Sequence, residues 1–432
     1  MEVREPSAKY LARVAFKQTE LGDVPTDWNC LFVAQIVESR PNAIVGGPFG
    51  SDLVSKDYVL AGVPVIRGQN MGKGYVSGDF VFVSNQKAKQ LQANLAKPGD
   101  LVFTQRGTLG QVSIVPPEPY SEYVVSQSQM KLSLNTNLVS VGYVFQYFSS
   151  PGGQRQIFDS AIQTGVPHTN LGILRSYQIP APPTVNEQQA IATALSDADA
   201  LIESLEQLLA KKRQIKQGAM QELLTAQRRL PGFEGEWEEK FLGECLLSRP
   251  DYGINAPAVE YSDKLPAYIR ITDISDDGCF CPAPLVSVAH PLASEYYLEV
   301  GDLVFARTGA SVGKSYRYKA ADGVLAYAGF LIRVRPDKSK LDPEFLAYLV
   351  QTKLYWDWVR LMSMRSGQPG INGNEFRQFP VQLPRLAEQT AIAQVLSDMD
   401  ADIAAVETRL TKARAIKQGM MQELLTGRIR LV

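Results

Sequence analysis

Apolar residues recur in two long segments of the chain with the alternating four- and three-residue spacing of a heptad seam. Each segment predicts a helix of about 40 residues, which at 1.5 Å per residue is a rod of about 60 Å. Helices in globular cores average only about 11 residues, so an ordinary pair of core helices is the weaker interpretation. Two such seams in one chain most simply pack on each other, antiparallel. The seam positions are Ile191, Leu195, Ile202, Leu205 and Leu209 in the first segment and Ile392, Leu396, Ile403, Val406 and Leu410 in the second.

The two helical segments are copies of one sequence. Residues 186–226 and 387–427 align without a gap, and both contain the strings Leu-Ser-Asp, Ile-Lys-Gln-Gly and Met-Gln-Glu-Leu-Leu-Thr. The repeat continues outside the helices, because Gly-Asp-Leu-Val-Phe occurs at 99–103 and again at 301–305. The whole chain is therefore interpreted as a tandem duplication.

The segments outside the predicted helices carry short runs of Val, Ile, Phe and Tyr broken by Gly, Pro and Asp, which is typical of β-strands. Shorter helices are predicted at 141–162 and 343–364. The predicted fold class is α+β: two mixed α/β domains separated by two long antiparallel coiled-coil helices, arranged as a pseudo-two-fold tandem duplication. The predicted order is an N-terminal arm (1–28), a first domain (29–184), a first helix (185–230), a second domain (231–384) and a second helix (385–432). We expect the arm to pack beside the end of the second helix.

The bulk composition is that of an ordinary globular chain. Its 432 residues exceed one comfortable core, and no run of about 18 apolar residues could span a bilayer. We expect a cytoplasmic protein, because the N-terminus has no apolar signal region. The net charge of −1 argues mildly against nucleic-acid binding. Residues 29–184, however, carry 11 Lys and Arg against 8 Asp and Glu, whereas 231–384 carry 16 against 20. A DNA-binding surface in the second domain must therefore be a local patch, or be completed by a partner.

The sequence lacks the motifs that would make the chain an enzyme by itself. The stretch from Gly309 to Ser315 has three residues between its glycines, one fewer than a phosphate-binding loop needs. No Asn-Pro-Pro-Tyr or Asn-Pro-Pro-Phe motif is present to hold a flipped base. Cys279 and Cys281 have no second Cys or His pair to complete a metal site. We assign no catalytic residue and no metal ligand, and a self-sufficient methyltransferase or nuclease is disfavoured.

Basic and amide side chains stand beside glycine turns at corresponding places in both domains. Arg binds guanine and Asn or Gln binds adenine through paired hydrogen bonds, and glycine lets a backbone approach phosphate. Each residue alone is more simply a solvated turn, but the same place used twice favours a binding loop. The candidate DNA-binding residues are Arg67, Gln69, Asn70, Arg106, Thr108, Arg270, Arg307, Thr308, Lys314 and Arg317. The alternative is a two-headed coiled-coil scaffold that binds a non-DNA ligand, such as a glycan or a protein.

The chain resembles the specificity subunit of Type I restriction-modification systems. The resemblance rests on Pro-x₃-Glu-Gln at 183–188 and 384–389, on Ile-Lys-Gln-Gly-x-Met-Gln-Glu-Leu-Leu-Thr near each helix end, and on Gly-Val-Pro-Val-Ile-Arg-Gly-Gln-Asn at 62–70. It covers nearly the whole chain, in the same domain–helix–domain–helix order.

This resemblance implies two target-recognition domains, each reading one half of a bipartite double-stranded DNA site. The two domains differ in sequence where they would read DNA, so we expect an asymmetric site. The resemblance also implies that the helices fix the spacer between the half-sites and dock two methyltransferase subunits. A restricting complex would add two motor-nuclease subunits. The methyl donor, S-adenosylmethionine, would be bound by the methyltransferase partner, and no cofactor by this chain.

Overall fold

A computed structural model of the chain describes residues 15–163, 165–364 and 368–431. The described residues form two compact units. Unit 1 contains those up to Leu205 together with those from Arg409 onward, and unit 2 is Glu206–Thr408. Each long helix is thus divided between the units. Residues 1–14 of the predicted N-terminal arm lie outside the described residues.

Unit 1 is built from short strands, four short helices and a part of each of the two long helices. Its strands are β1 Phe16–Thr19, β2 Gly22–Pro25, β3 Asn29–Phe32, β4 Ile44–Gly46, β5 Tyr58–Val59, β6 Val63–Ile66, β7 Gly74–Tyr75, β8 Val81–Val83, β9 Leu95–Ala96, β10 Leu101–Thr104, β11 Val112–Ile114, β12 Tyr123–Val125, β13 Gln129–Leu132 and β14 Gln178–Ala181. Its helices are α1 Asn85–Gln90, α2 Val141–Ser149, α3 Pro151–Asp159 and α4 Leu171–Ser176, followed by the long helix α5 Val185–Leu223.

Unit 2 repeats this plan with fewer strands. The strands are β15 Glu238–Phe241, β16 Asp251–Tyr252, β17 Ala258–Glu260, β18 Ala267–Ile269, β19 Val286–Val288, β20 Leu303–Ala306, β21 Ser315–Arg317, β22 Leu325–Tyr327, β23 Leu331–Val334 and β24 Pro380–Leu383. The helices are α6 Pro343–Leu349, α7 Lys353–Met362 and α8 Gly373–Phe376, followed by the long helix α9 Leu386–Leu424.

The two units share the core of their sheet topology. Unit 1 has two five-stranded sheets, β4-β13-β10-β11-β7 and β5-β8-β6-β12-β9, and unit 2 has two four-stranded sheets, β16-β23-β20-β21 and β17-β19-β18-β22. In both units the strand formed by Leu-Val-Phe (β10 or β20) is antiparallel to both of its neighbours. In both, a parallel pair (β6 with β12, or β18 with β22) lies in the second sheet. The structure thus confirms the predicted mixed α/β domains and the duplication.

The repeated Gly-Asp-Leu-Val-Phe string supports the fold at an equivalent place in each unit. Its glycine has a positive φ, +87° at Gly99 and +104° at Gly301, where a side chain would be strained. The following aspartate closes the turn and pairs with a buried cation. The Asp100 carboxylate lies 3.8 Å from the Lys131 ammonium. In unit 2 the Asp302 carboxylate lies 3.7 Å from the guanidinium of Arg333, which is equivalent to Lys131. This motif is structural.

Each shorter helix predicted from the sequence is two helices. The segment predicted as 141–162 breaks at Ser150, whose hydroxyl accepts a hydrogen bond from the Gly153 amide and caps α3, with Pro151 as its first residue. The segment predicted as 343–364 breaks at Thr352, which caps α7 through the Tyr355 amide. These N-caps satisfy amides that a continuous helix would bond to its own backbone.

All ten predicted seam positions of the long helices are buried or half-buried. The two helices run antiparallel within each unit. In unit 1 the Lys417 ammonium pairs with the Asp199 carboxylate, and in unit 2 that of Lys216 lies 2.5 Å from the Asp400 carboxylate. Each pair joins the second half of one helix to the first half of the other, so the predicted antiparallel packing is confirmed.

The repeated Glu-Gln pair at the start of each long helix connects it to its surroundings. The Gln188 side chain accepts a hydrogen bond from the Ser140 amide (2.8 Å), and that of Gln389 accepts one from the Asp342 amide (2.9 Å). The Gln188 side chain also donates to the Pro182 carbonyl, and that of Gln389 donates to the Pro384 carbonyl. The glutamine therefore holds the start of the long helix against the start of α2 or α6.

The C-terminal end of α9 contacts the start of the described chain. Trp28 is fully buried in a cluster with Leu424 and Leu425. The Arg430 guanidinium lies 3.0 Å from the Asp27 carboxylate. Among the described residues, no helix is long and apolar enough to span a membrane.

Candidate functional site

A short connector in each unit, here called the junction segment, gathers the ends of three strands. In unit 1 it comprises residues 126–129. The Ser126 amide donates to the carbonyl of Ile66 (3.0 Å) at the end of β6, and the Gln105 amide donates to the carbonyl of Ser128 (2.7 Å) at the end of β10. The turns that follow these strands carry Arg67 and Arg106, so backbone bonds to one segment hold both turns.

The junction segment of unit 2, residues 328–331, makes the same bonds. The Ala328 amide donates to the carbonyl of Ile269 (3.0 Å), and the Arg307 amide donates to that of Phe330 (3.1 Å). The structure therefore places the candidate turns of both units at equivalent strand ends.

Each junction segment also contacts the end of a third strand, β4 in unit 1 and β16 in unit 2, where a glycine follows the strand. The Gly47 amide donates to the carbonyl of Gln129 (2.9 Å), and the Gly253 amide to that of Leu331 (3.2 Å). A β-carbon at Gly47 would lie 1.9 Å from the Ser126 carbonyl oxygen, and one at Gly253 would lie 2.2 Å from that of Ala328. Only glycine permits this approach of two backbones.

In unit 1, the turn after β6 leaves its arginine without a charged partner. Arg67 is half-buried and has no ion pair with any residue that the structure describes. Asn70 is only 1% exposed, and its amide oxygen accepts a hydrogen bond from the Arg67 amide (3.1 Å). Its amide nitrogen donates to the carbonyls of Ser77 and Asp79. Asn70 holds the turn through these hydrogen bonds, and its role as a DNA contact stays a prediction. Gln69 is exposed, with its amide nitrogen 3.2 Å from the Asp79 carbonyl.

The equivalent turn in unit 2 neutralises its arginine. The Asp273 carboxylate accepts hydrogen bonds from Nε (2.9 Å) and Nη2 (2.8 Å) of Arg270, as well as from the Arg270 backbone amide (2.8 Å). Asp273 is itself 1% exposed. These hydrogen bonds raise the pKa of Arg270 above its usual value. Arg270 is thus committed to an internal pair.

The turn between β10 and β11 presents an exposed cation in unit 1. Arg106 and Thr108 are both exposed, and Arg106 takes part in no ion pair within the described ranges. Gly107 has φ +102° and Gly110 has φ +88°, so the turn depends on glycine at both places. An antiparallel bridge between Arg106 and His168 holds the turn on its other side.

The equivalent turn in unit 2 places its arginine between aromatic rings. The Arg307 guanidinium carbon lies 5.1 Å from the ring centroid of Tyr252 and 5.8 Å from that of Phe330. Such stacking orients a guanidinium without cancelling its charge. Arg307 has no ion pair among the residues described, and the Thr308 hydroxyl donates to the Pro369 carbonyl (3.4 Å).

The last two candidate cations are paired with carboxylates. The Lys314 ammonium lies 2.7 Å from the Asp276 carboxylate, and the Arg317 guanidinium lies 2.9 Å from that of Glu344. The six candidate cations therefore separate into two groups. Arg67, Arg106 and Arg307 have no carboxylate partner among the described residues, whereas Arg270, Lys314 and Arg317 have one.

Sequence reasoning missed the two rings that hold Arg307. Tyr252 is 42% exposed and Phe330 is 55% exposed, so both rings reach the surface beside Arg307. They lie in different parts of the sequence, so no local spacing could have linked them. Among the described residues, no group of three or more His, Cys, Asp or Glu side chains could hold a metal ion.

Comparison with known proteins matches this duplicated arrangement to one family. The Type I restriction modification DNA specificity domain matches residues 54–216 and 236–414, one copy in each half of the sequence. The chain belongs to this specificity-domain family.

Curated relatives are similar to this chain over most of their length. The chain is 23% identical to the putative type I restriction enzyme MjaX specificity subunit of Methanocaldococcus jannaschii, over 96% of this chain and 97% of that protein. It is 24% identical to the type I restriction enzyme EcoKI specificity subunit of Escherichia coli, over 85% of this chain and 82% of that protein.

Two solved structures share the fold at low sequence identity. The S subunit of a Type I restriction-modification system from M. genitalium has a TM-score of 0.59 and 15% identity, covering 92% of this chain and 96% of that one. A chain from a structure of a type I R-M system has a TM-score of 0.52 and 17% identity, covering 93% and 98%. Both likenesses show that the fold is shared.

Proposed function

We infer that this chain is the DNA-specificity subunit of a Type I restriction-modification complex, and that each unit reads one half of a bipartite DNA site. The observation that carries this inference is the pair of junctions. Each presents at least one arginine without a carboxylate partner among the described residues, beside a glycine turn, and the specificity-domain family matches both halves of the sequence. Arginine fits both phosphate and guanine.

The two half-sites should differ in sequence, because the two junctions differ in chemistry. Unit 1 offers Arg67 and Arg106, together with the exposed amide of Gln69. Unit 2 offers Arg307 between its two rings, while Arg270 is paired. We therefore propose an asymmetric target.

The surface of the long helices supports a second role, the docking of two methyltransferase subunits. Ile215 and Ile416 are 52% and 51% exposed although the string around them is identical in both copies. A β-carbon at Gly218 or Gly419 would contact nothing within 4 Å. Exposed isoleucines and open glycines at the same place in both copies fit a partner surface. In this proposal the partner binds S-adenosylmethionine and performs the methyl transfer, this chain is not catalytic by itself, and motor-nuclease subunits join the restricting complex.

The function is tested with the chain in complex with its methyltransferase partner. We expect a gel shift on DNA libraries with randomised spacers, at a stated salt concentration, to select two fixed half-sites separated by one spacer length. A complex with no sequence preference would contradict the proposal and favour a scaffold for a non-DNA ligand. Methyl transfer by the isolated chain, which we do not expect, would instead identify a self-sufficient enzyme.

Single arginine replacements test the assignment of each junction to a half-site. We expect Arg106→Ala to relax selection at one half-site and Arg307→Ala to relax selection at the other, each by about 1–3 kcal/mol if the side chain contacts a base. The measurement is competition binding with DNA mutated in one half-site at a time. The half-site of the unaltered unit is the control within each variant. Equal weakening on every sequence would assign the arginine to phosphate instead.

A further inference from the structure

The turns at Arg67 and Arg270 have the same backbone and differ in one chemical group. Arg67 has φ −118° and ψ 171°, and Arg270 has φ −116° and ψ 166°. Three residues later, a buried side-chain oxygen accepts a hydrogen bond from the arginine amide in both units. That oxygen belongs to an amide in Asn70 and to a carboxylate in Asp273. The turns are therefore built alike but carry different charges.

This difference decides where each guanidinium is bound. Because both oxygens of Asp273 accept from Arg270, its guanidinium forms a paired, charge-neutral contact, and Nη2 also lies 3.3 Å from the Pro284 carbonyl. Asn70 cannot do this for Arg67. Its second group is a donor, and that donor is already bonded to the carbonyls of Ser77 and Asp79.

Arg67 is left incompletely satisfied as a result. Its Nε is buried and has no hydrogen-bond partner in the part of the chain that the structure describes. The terminal Nη1 and Nη2 of Arg67 donate to no described residue and are not buried, so an acceptor outside the chain can reach them. The acceptors of double-stranded DNA, phosphate oxygens and the guanine edge, are those that arginine prefers.

We propose that positions 70 and 273 determine which turn arginine reaches DNA. Asn70 leaves Arg67 available to the first half-site. Asp273 withholds Arg270 from the second half-site, so unit 2 reads with Arg307, which its aromatic rings hold in place. Asp273 acts through Arg270 and is a positioning residue. This inference rests on the proposed DNA-binding function.

Two substitutions test the proposal in the complex with the methyltransferase partner. Each gives one unit the side chain that the other unit has at the equivalent position. Asp273→Asn should release Arg270 and make the logarithm of affinity fall more steeply with the logarithm of salt, by about 0.9 if one phosphate is gained. If Arg270 reaches a base instead, the preferred second half-site should change. Adding Arg270→Ala to Asp273→Asn should reverse either effect, because the released side chain is then absent.

The opposite substitution, Asn70→Asp, should remove the contribution of Arg67 to binding of the first half-site. Asn70→Asp and Arg67→Ala should each weaken binding to the first half-site by about 5- to 150-fold, and the double variant should lose little more. Asp273→Asn combined with Arg270→Ala, which leaves no buried carboxylate unpaired, should keep the half-site preference and salt dependence of the unaltered complex. Should Asn70→Asp fail to fold, Arg67→Ala and the comparison of Asp273→Asn with that double variant still test the proposal.

The result that would overturn the proposal is distinct from failure of the function itself. If the unaltered complex selects its split site but Arg67→Ala binds it normally, or Asp273→Asn changes neither the salt dependence nor the second half-site, residues 70 and 273 do not select the arginine. If the unaltered complex selects no DNA sequence, the proposed function is wrong. Far-ultraviolet circular dichroism of each variant separates both outcomes from loss of folding.

Discussion

Replacing Arg430 with methionine is expected to destabilise unit 1 by about 3–5 kcal/mol, because it leaves a buried carboxylate without its partner. The Glu187 side chain is only 2% exposed, and its carboxylate lies 2.8 Å from Nη2 of Arg430. The same guanidinium lies 3.0 Å from the Asp27 carboxylate and 5.7 Å from the ring centroid of Trp28. Because the methionine side chain preserves some of the packing, the loss of stability measures mainly the effect of removing the guanidinium charge.

The measurement is urea unfolding combined with hydrogen–deuterium exchange of residues 409–431, which reports on unit 1 alone. Arg428→Met is the matched control. Its guanidinium is 54% exposed and lies 3.6 Å from the Glu423 carboxylate, so the same substitution there should cost below about 1 kcal/mol. Equal losses in the two variants would show that the buried pair makes no special contribution.

The duplication makes this prediction general. In unit 2, Arg229 takes the place of Arg430, and its Nε lies 2.6 Å from the carboxylate of Glu388. Its guanidinium also lies over an indole, 5.9 Å from the ring centroid of Trp237. Arg229→Met should therefore destabilise unit 2, in the same direction. The glutamate of each repeated Glu-Gln pair thus receives an arginine that follows the other long helix, which explains why the repeat includes both.

Features encoded by local spacing could be predicted from the sequence. The heptad seam is one, since each buried position follows from the three or four residues between it and the next. Ile215 and Ile416 lie outside that spacing, and they are exposed in the structure. The breaks at Ser150 and Thr352 are also local, but in the sequence each capping residue lies among apolar residues that by themselves favour a continuous helix.

The charge state of the candidate site could not be predicted in the same way. Lys314 pairs with Asp276, and Arg317 pairs with Glu344, across sequence distances that only the folded chain closes. Asp273 is different, because it follows Arg270 by three residues and the contrast with Asn70 is visible in the sequence. Its meaning still depends on a shared turn geometry that the sequence does not display.

Removing one heptad from each long helix should shorten the preferred DNA spacer by about three base pairs, if the helices set the distance between the half-sites. Seven residues correspond to about 10 Å of helix, and one base pair to about 3.4 Å. The matched deletions are residues 204–210 and 405–411, which are equivalent in the two copies and lie at the boundaries of the units. They leave the ion pairs of Lys417 and Lys216 within their own units. A heptad deletion turns a helix by only about 20°, so the seam keeps its register.

The shortened chain should bind the original split site about 10²–10⁴-fold more weakly, because it can engage only one half-site at a time. Three base pairs also turn the half-sites by roughly 100° about the DNA axis, at about 10.5 base pairs per turn. The new site should therefore be bound less tightly than the original chain binds its own. Selection from a randomised-spacer library measures both effects, and deletion of a heptad from one helix alone is the control for misfolding. An unchanged spacer with both half-sites retained would show that the methyltransferase partner, and not this helix pair, sets the distance.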